Sequence, residues 1–519
     1  MSPIPALSLV RNGEVDKSPP TIALLETRLR ERADAVAIAA VTAARSEDIS
    51  FRAFENSLRL EVLAFARAAV VLFLALCEQR TTTSRQEHGG RAFRQAPAQA
   101  RNLTTIFGVV RYWRTYMREI ADEGCRGFHP LDLRLGLTAD RISISVLALA
   151  ARLATKLSFA EARSTLSLFL PSAPSTEVIE HAVLGLGRRT QQWFIDRVPP
   201  AGDGDVLIIL IDSKGAPTAT AEELRRRRGK RRPRPEGGSP RHRGRSRRKR
   251  HPKKARPKKG DKSKNAKMAT MVVMYTLRRD GTKLLGPINR FIYASFAPKE
   301  HAFVVARREA TKRGFGPGSN KKIQLLTDGD NCLAVYKKKY FSEAIHTVDI
   351  MHIIEKLWNA GECFFRDGSA ELKEWVELQK HHLYGGRIHL IIDELRGRIR
   401  SSPAARERLG KTLRHIEKRA TCMNYDELIA ADLEIGTGAV EGAIKNVIGK
   451  RCDHGGMRWI KERAEAVLQL RCIEINGEWD VFIDRVHDEN RRAALAASER
   501  RRLQTAKPAA LPRVTKLAA

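Results

Sequence analysis

The sequence predicts an α/β protein, with a mixed β-sheet that follows a mainly helical region and is interrupted by a helical insertion. The apolar run at 206–211 is typical of a central strand buried on both faces. Two further strands flank Arg279-Asp280-Gly281, a hairpin-type turn. Helical and strand patterns then alternate from residue 298 to residue 348. Three hairpin-linked strands followed by alternating helix and strand is the order of a ribonuclease-H-like sheet, in which the first and fourth strands are neighbours.

Composition narrows the possible partners and compartment. The chain has 519 residues, 42% hydrophobic content and a formal net charge of +35, so it can bury a core and should attract phosphate polyanions. Its seven cysteines include no CxxC pair, which indicates neither a zinc ribbon nor a disulfide framework and fits a reducing cytoplasm. We expect no secretion signal and no membrane segment, since the most apolar window, 68–77, is short.

Upstream of the sheet, the pattern is helical except for one hairpin or bulged strand at 103–113. The expected helices lie within 21–80, 142–156, 159–169 and 176–198. The last three could form a helix-turn-helix that enters a DNA groove, or a tri-helical packing without DNA contact.

The core and its insertion follow in order. The expected strands are 206–212, 268–277, 288–296, 323–327 and 344–348, with a helix at 298–313 before the fourth and helical pattern after it. Four more helices are expected at 353–365, 370–383, 388–399 and 404–420. A Gly-rich turn at 436–442 then leads into a helix, and 457–481 is helical in pattern.

These patterns suggest six segments. They are an N-terminal helical region (1–98), a hairpin plus helix-turn-helix-like region (99–200), the sheet core with a basic insert (201–352), a helical insert (353–434), final core helices (435–486) and a charged tail (487–519).

Three acids from distant parts of the chain could meet at one edge of this sheet. Asp212 and Asp328 follow the first and fourth strands, and Glu441 lies in the helix after the Gly-rich turn. Such a carboxylate cluster suits Mg²⁺, for which Mn²⁺ can substitute, in a two-metal phosphoryl displacement. Asp330 could replace Asp328, and Glu434 could replace Glu441. Asp349 and His352 lie beside the site or are structural.

A basic insert follows Asp212. Residues 225–267 hold 23 Lys and Arg against 2 acids, with many Gly, Pro and Ser, so we expect a mobile loop that contacts nucleic-acid phosphates rather than a solvated face alone. The expected DNA-binding residues are Arg225, Arg226, Arg227, Arg228, Lys230, Arg231, Arg247, Arg248, Lys249, Arg250, Lys253, Lys254, Lys445, Lys450 and Arg451.

Several motifs together resemble the DDE transposases of bacterial insertion sequences, closest to the Kra-type branch. They are Ile-Asp-Ser-Lys-Gly (211–215), Thr-Asp-Gly (327–329), Val-Asp-Ile-Met-His (348–352), Gly-Thr-Gly-Ala-Val-Glu-Gly (436–442) and Gly-Met-Arg-Trp (456–459). The resemblance implies a catalytic triad of Asp212, Asp328 and Glu441, with Asp349 and His352 as a secondary D-x-x-H element. Members of that branch carry paired cysteines before a Pro-Leu-Asp segment, which is 130–132 in this chain, whereas this chain has only Cys125 there. Its long basic insert is a second departure from the branch.

The expected function is therefore DNA transposition. The enzyme would bind transposon terminal repeats and target duplex DNA, cut and join strands with Mg²⁺, and act as a homo-oligomer. Two alternatives stay open: a nuclease of the same chemistry without strand transfer, and a non-catalytic nucleic-acid-binding protein acting through its basic loop.

Overall fold

The computed structural model describes residues 18–81, 83–88, 91–120, 127–137, 141–227, 266–401, 406–453 and 457–496. It is a mixed α/β structure that divides into two compact units. The smaller unit takes residues 1–183 and 480–507, and the larger takes 184–479 and 508–519.

The smaller unit begins with two long helices, α1 (Ile22–Ala44) and α2 (Phe51–Thr81). The Thr21 hydroxyl accepts a hydrogen bond from the Leu24 amide and caps α1. Helix α2 is long and apolar enough to cross a membrane by length and composition alone, a test that a core helix also passes. The apolar stretch is therefore longer than the predicted window 68–77, because Arg67 only interrupts it, and the expectation of no membrane segment stays a prediction.

An antiparallel sheet follows, made of β1 (Arg85–His88), β2 (Arg91–Thr105), β3 (Gly108–Glu119) and β4 (Gly127–Phe128). The hairpin predicted at 103–113 is confirmed: Thr105 pairs with Gly108, whose φ of 114° suits the tight turn. The helical region predicted to reach residue 98 ends earlier, at Thr81. Alternation on β2 and β3 places Phe93 and Met117 in a core, which makes this stretch a sheet.

Short helices complete the smaller unit. They are α3 (Pro130–Leu135), α4 (Ile144–Ala154), α5 (Phe159–Phe169) and the first part of α6 (Thr176–Gly187). A reciprocal capping box of Ser158 and Glu161 begins α5. The helix predicted at 176–198 is two helices, α6 and α7 (Thr190–Asp196). Gly187, at the break, has no room for a Cβ against Ala466.

The larger unit is built on a five-stranded mixed sheet. Its elements are β5 (Val206–Pro217), α8 (Ala221–Arg227), β6 (Ala266–Asp280), β7 (Lys283–Ser295), α9 (Lys299–Lys312), β8 (Lys322–Thr327), α10 (Asn331–Tyr340) and β9 (Ile345–Val348). The strand order is β7-β6-β5-β8-β9. Strand β5 is antiparallel to β6 and parallel to β8, and β8 is parallel to β9. The predicted neighbourhood of the first and fourth strands is therefore present.

A helical insertion follows β9 and has its own core. Its helices are α11 (Ile350–Gly361), α12 (Ala370–Tyr384), α13 (Ile388–Ser401), α14 (Arg406–Glu417) and α15 (Tyr425–Ala430). They bury one apolar cluster that includes Leu357, Trp375, Leu395 and Ile416. Short turns at glycines and polar residues separate these helices, as the sequence predicted.

The chain then returns to the sheet. Helix α16 (Gly438–Ile444) continues through a π-helical turn, Lys445–Gly449, into α17 (Lys450–Cys452). Helix α18 (Lys461–Ile475) packs on β7, and α19 (Trp479–Ala496) follows. Trp459 pairs with Thr218 and thereby ties this segment to the end of β5.

Candidate active site

At one edge of the mixed sheet, an aspartate directly follows the last parallel pair of each of three neighbouring strands. Ile211 of β5 pairs with Thr327 of β8, so Asp212 and Asp328 lie side by side where this pairing stops, although β5 itself continues against β6 to Pro217, beyond the predicted end at residue 212. Thr327 pairs in turn with Val348 of β9, which places Asp349 next along that edge. The edge exists because all three strands run in one direction.

Asp349 is fully buried and uses both carboxylate oxygens in hydrogen bonds. It accepts from the Met351 amide at 3.1 Å, the Thr437 amide at 3.2 Å and the Thr437 hydroxyl at 2.5 Å. Its second oxygen lies 2.7 Å from His352 Nδ1. Asp349 therefore caps α11 and fixes the segment that leads into α16.

Glu441 reaches this edge from α16. One ligand atom each of Asp349, His352 and Glu441 lies within 4.8 Å of the other two. Burial raises the pKa of Asp212, and the charges of Asp328 and Glu441 raise it further, although the Ser213 amide and His352 oppose this. The structure thus brings Asp212, Asp328, Asp349, His352 and Glu441 together.

The cluster holds more negative than positive charge. No Lys or Arg in the described part of the chain forms an ion pair with Asp212, Asp328 or Glu441. His352 balances part of this charge: its hydrogen bond to Asp349 raises the pKa of its imidazole, and the charges of Asp328 and Asp212 add to this. Asp328 also interacts electrostatically with Arg419 and Lys299. Burial opposes ionisation of Asp349, but the bonds from His352 and Thr437 outweigh it and lower the pKa of that carboxyl.

The two alternative acids are occupied elsewhere. Asp330 caps α10 through the Cys332 amide and accepts from Lys299 Nζ at 2.8 Å, and this bond lowers the pKa of the Asp330 carboxyl. Glu434 accepts from the Tyr275 hydroxyl at 2.8 Å. Asp328 and Glu441 are therefore the better candidates.

The sequence interpretation missed two residues of the helical insertion. Arg419 donates to Asn331 Oδ1 at 2.8 Å and lies against Gly329, directly after Asp328. Gly329 has φ +78°, and a Cβ there would lie 2.9 Å from Arg419 Nε and 3.2 Å from His415 Nε2. Burial lowers the pKa of His415 to about 3, so its imidazole is neutral at pH 7. Only the folding of the insertion reveals these contacts, because nothing local marks either residue.

The predicted DNA-binding residues have mixed outcomes. Arg225, Lys445 and Lys450 have exposed side chains. Arg451 is 1% exposed and stacks on Trp459 at 4.4 Å, so the prediction that it contacts DNA was wrong. The sequence pattern alone did not show that the helix turns this guanidinium inward. Arg226 and Arg227 lie in α8, but their side chains fall outside the described residues, as do Arg228, Lys230, Arg231, Arg247, Arg248, Lys249, Arg250, Lys253 and Lys254.

The donor set suits a hard divalent cation. Asp212 and Asp328 are half-buried, Glu441 is exposed, and none of the three forms an ion pair with a described Lys or Arg. Oxygen ligands of this kind favour Mg²⁺ or Mn²⁺ over thiophilic metals. Asp349 is a poorer ligand, because both of its oxygens are already hydrogen-bonded.

Comparisons add no family assignment: no family model matches this chain, and no curated protein matches it.

Proposed function

We propose that this protein is a DNA transposase that cuts and joins DNA strands with divalent metal ions. Two observations support the proposal: Asp212 and Asp328 follow the last parallel pair of β5 and β8, and the charges of Asp328 and Glu441 both raise the pKa of Asp212. Three unpaired carboxylates repel one another, and this repulsion favours a cation between them.

The sheet supports a ribonuclease-H-like core for this activity. Its order places the first of three antiparallel strands beside the fourth, which runs parallel to it. The connection from β8 to β9 passes through α10, as a parallel crossover requires.

The residues at this edge of the sheet would have different roles. Asp212, Asp328 and Glu441 would hold the ions, which when bound supply Lewis-acid activation of the attacking and leaving oxygens. Asp349 orients His352 and, through Thr437, the start of α16. His352, with its raised pKa, would contact a phosphate oxygen of the DNA.

The partner would be duplex DNA, comprising transposon ends and a target. The +35 charge and the exposed Arg225, Lys445 and Lys450 support this. A homo-oligomeric assembly and a bacterial cytoplasmic location are parts of the same proposal.

The test uses purified full-length protein and labelled duplexes that carry the inverted repeats flanking the coding region. The parent protein with Mg²⁺ should nick these duplexes and join the freed 3′ ends to a target plasmid. Asp212→Asn should abolish cutting, yet bind the same duplex with unchanged salt dependence, because binding rests on Lys and Arg. Cutting by Asp212→Asn at the parent rate would show that the acids are not the active site.

Product analysis separates the proposal from its nearest rival. Cutting without joined product in the presence of target DNA would indicate a nuclease. Deleting residues 228–265 should weaken binding to all sequences and flatten its salt dependence. If the affinity is unchanged, this segment serves something other than DNA.

A further inference from the structure

Three arginines form a column across the N-terminal sheet. Arg85 of β1 lies directly opposite Arg94 of β2, which lies directly opposite Arg118 of β3. All three side chains are exposed. Directly opposed residues of a sheet point to the same face with Cβ atoms about 5 Å apart, so three positive charges line up on one surface.

The other face of the same strands packs on a core. Phe93 and Glu119, one position along from Arg94 and Arg118, are buried. Phe93 packs against Phe128 with ring centroids 5.0 Å apart. The register is therefore fixed by the core, and the arginines cannot exchange faces without exposing it.

Other arginines of this sheet are balanced by acids. Arg91 pairs with Glu119 at 3.5 Å, and Arg101 pairs with Asp132 at 3.0 Å. Among the described side chains, no acid lies within ion-pair distance of Arg85, Arg94 or Arg118. The neighbouring Glu87, also exposed, makes no ion pair with them either. The column is thus a local excess of positive charge, in a sheet where Arg91 and Arg101 are neutralised by ion pairs with acids.

Such an arrangement weakens the isolated fold. Like charges directly opposite each other in a sheet are destabilising. A row of guanidinium groups matches the phosphates of a nucleic-acid strand, which bind arginine through two parallel hydrogen bonds.

We propose that the column of Arg85, Arg94 and Arg118 is a docking surface for the phosphate backbone of duplex DNA. This inference rests on the proposed function, because it assigns the N-terminal sheet to the same DNA partner. It adds a contact surface that is separate in sequence from the basic insert and from the acid cluster.

The test is a salt titration of binding by the full chain to a 30-base-pair duplex, with EDTA present to prevent cutting. The variant Arg85→Thr/Arg94→Thr/Arg118→Thr keeps strand-forming residues. Each lost phosphate contact removes about 0.9 from the slope of log K against log salt. We therefore expect the slope to fall by about 2 to 3, with at least tenfold weaker binding at about 150 mM salt.

A matched control removes the same charge from the same unit. Arg28→Gln/Arg30→Gln/Arg52→Gln lies on exposed positions of α1 and α2 and should leave the slope within about 0.5 of the parent value. Replacing the column arginines by lysine should largely preserve the slope, because the charge is kept. If the threonine triple does not fold, Arg94→Thr alone is measured, with an expected slope change of about 1.

The inference is overturned if the threonine variant keeps the parent slope, if the helix control loses as much, or if duplex RNA loses more affinity than DNA. The two proposals fail separately. An unchanged slope with cutting still dependent on Asp212 would remove only the docking surface. A reduced slope with cutting independent of Asp212 would remove only the catalytic assignment.

Discussion

Two clusters of charged side chains in the larger unit differ in whether their acids are neutralised by basic residues. Around Arg197, the buried acids and bases neutralise one another: Arg197 NH1 lies 2.6 Å from Glu309, Arg313 Nε lies 2.8 Å from the same carboxylate, and Arg197 also pairs with Glu478. At the sheet edge, Asp212, Asp328 and Glu441 form no ion pair with a described Lys or Arg, and Arg419 and Lys299 act on Asp328 only at longer range. Both clusters join segments that are far apart in sequence, but only the first is complete within the chain.

We infer from this difference that the paired cluster stabilises the fold, whereas the acid cluster serves function. A buried, fully paired network holds segments together and is costly to break. A carboxylate cluster that stays unneutralised destabilises the folded chain slightly and leaves room for cations supplied from outside. The raised pKa of Asp212, due first to burial and then to its acidic neighbours, is the electrostatic sign of that state.

Activity should show the contrast most strongly. Glu441→Gln should reduce DNA cutting at least about 10³-fold, equivalent to about 4 kcal/mol of transition-state stabilisation, because it removes a carboxylate that we propose to hold a metal ion. Glu434→Gln is the matched control, since Glu434 is bonded to Tyr275, and it should stay within about tenfold of the parent. Single-turnover cleavage measures both. Equal losses of cleavage rate in the two variants would restore Glu434 as an alternative to Glu441 for the third acid.

For stability, we expect the larger loss from a change in the paired cluster around Arg197 and little effect from a change in the acid cluster. Glu309→Gln leaves Arg197 and Arg313 without their shared charge and should lower the free energy of unfolding by about 3–5 kcal/mol. Asp212→Asn removes one of several repelling charges and should leave that free energy unchanged or slightly higher.

Denaturant titration followed by tryptophan fluorescence measures both variants, because Trp193 Nε1 lies 3.1 Å from Glu478 of the paired network. A destabilised Asp212→Asn would mean that this acid has a structural role.

Two histidines of the larger unit, His301 and His352, should respond oppositely to pH. Burial, aided by Arg308, lowers the pKa of His301 to about 4, so this side chain stays neutral in the fold while the unfolded chain takes up a proton. Its contribution is present above the unfolded pKa of about 6.5 and is lost as pH falls towards 4, by about 3 kcal/mol. His352 has a raised pKa, so its contribution is present at low pH and lost as pH rises.

Unfolding free energies from pH 4 to pH 8 measure these contributions. His301→Gln should flatten the acid-side loss, and His352→Gln should make that loss steeper. Identical pH profiles of unfolding free energy in the two variants would contradict the opposite pKa shifts of His301 and His352.

Metal binding should give the smallest effect. Saturating Mg²⁺ or Mn²⁺ at 10 to 100 times Kd should stabilise the parent by about 1–3 kcal/mol through mass action. Asp212→Asn should lose most of this gain, whereas Glu434→Gln should keep it. Thermal unfolding with and without the ion measures the shift. A gain retained by Asp212→Asn would place the metal elsewhere.

Short-range pattern carried much of the prediction. The apolar run before Asp212, the turn at Gly281 and the helix at 159–169 are each specified by neighbouring residues, and the structure contains all three. The errors lie where tertiary packing decides. Strands at 85–98 needed a partner strand to be recognised, and the break at 188–189 depends on the close packing of Gly187 on Ala466.

Local periodicity and composition were sufficient to specify the strands of the mixed sheet, the acids beside them and the strongly basic character of the chain, because these properties depend on residues close together in sequence. Which carboxylates meet was decided by strand order and by the return of α16 to the sheet. The same is true of the inward turn of Arg451, the contact of Arg419 with Gly329 and the alignment of Arg85, Arg94 and Arg118. Each depends on register or packing between distant segments, which no local sequence window contains.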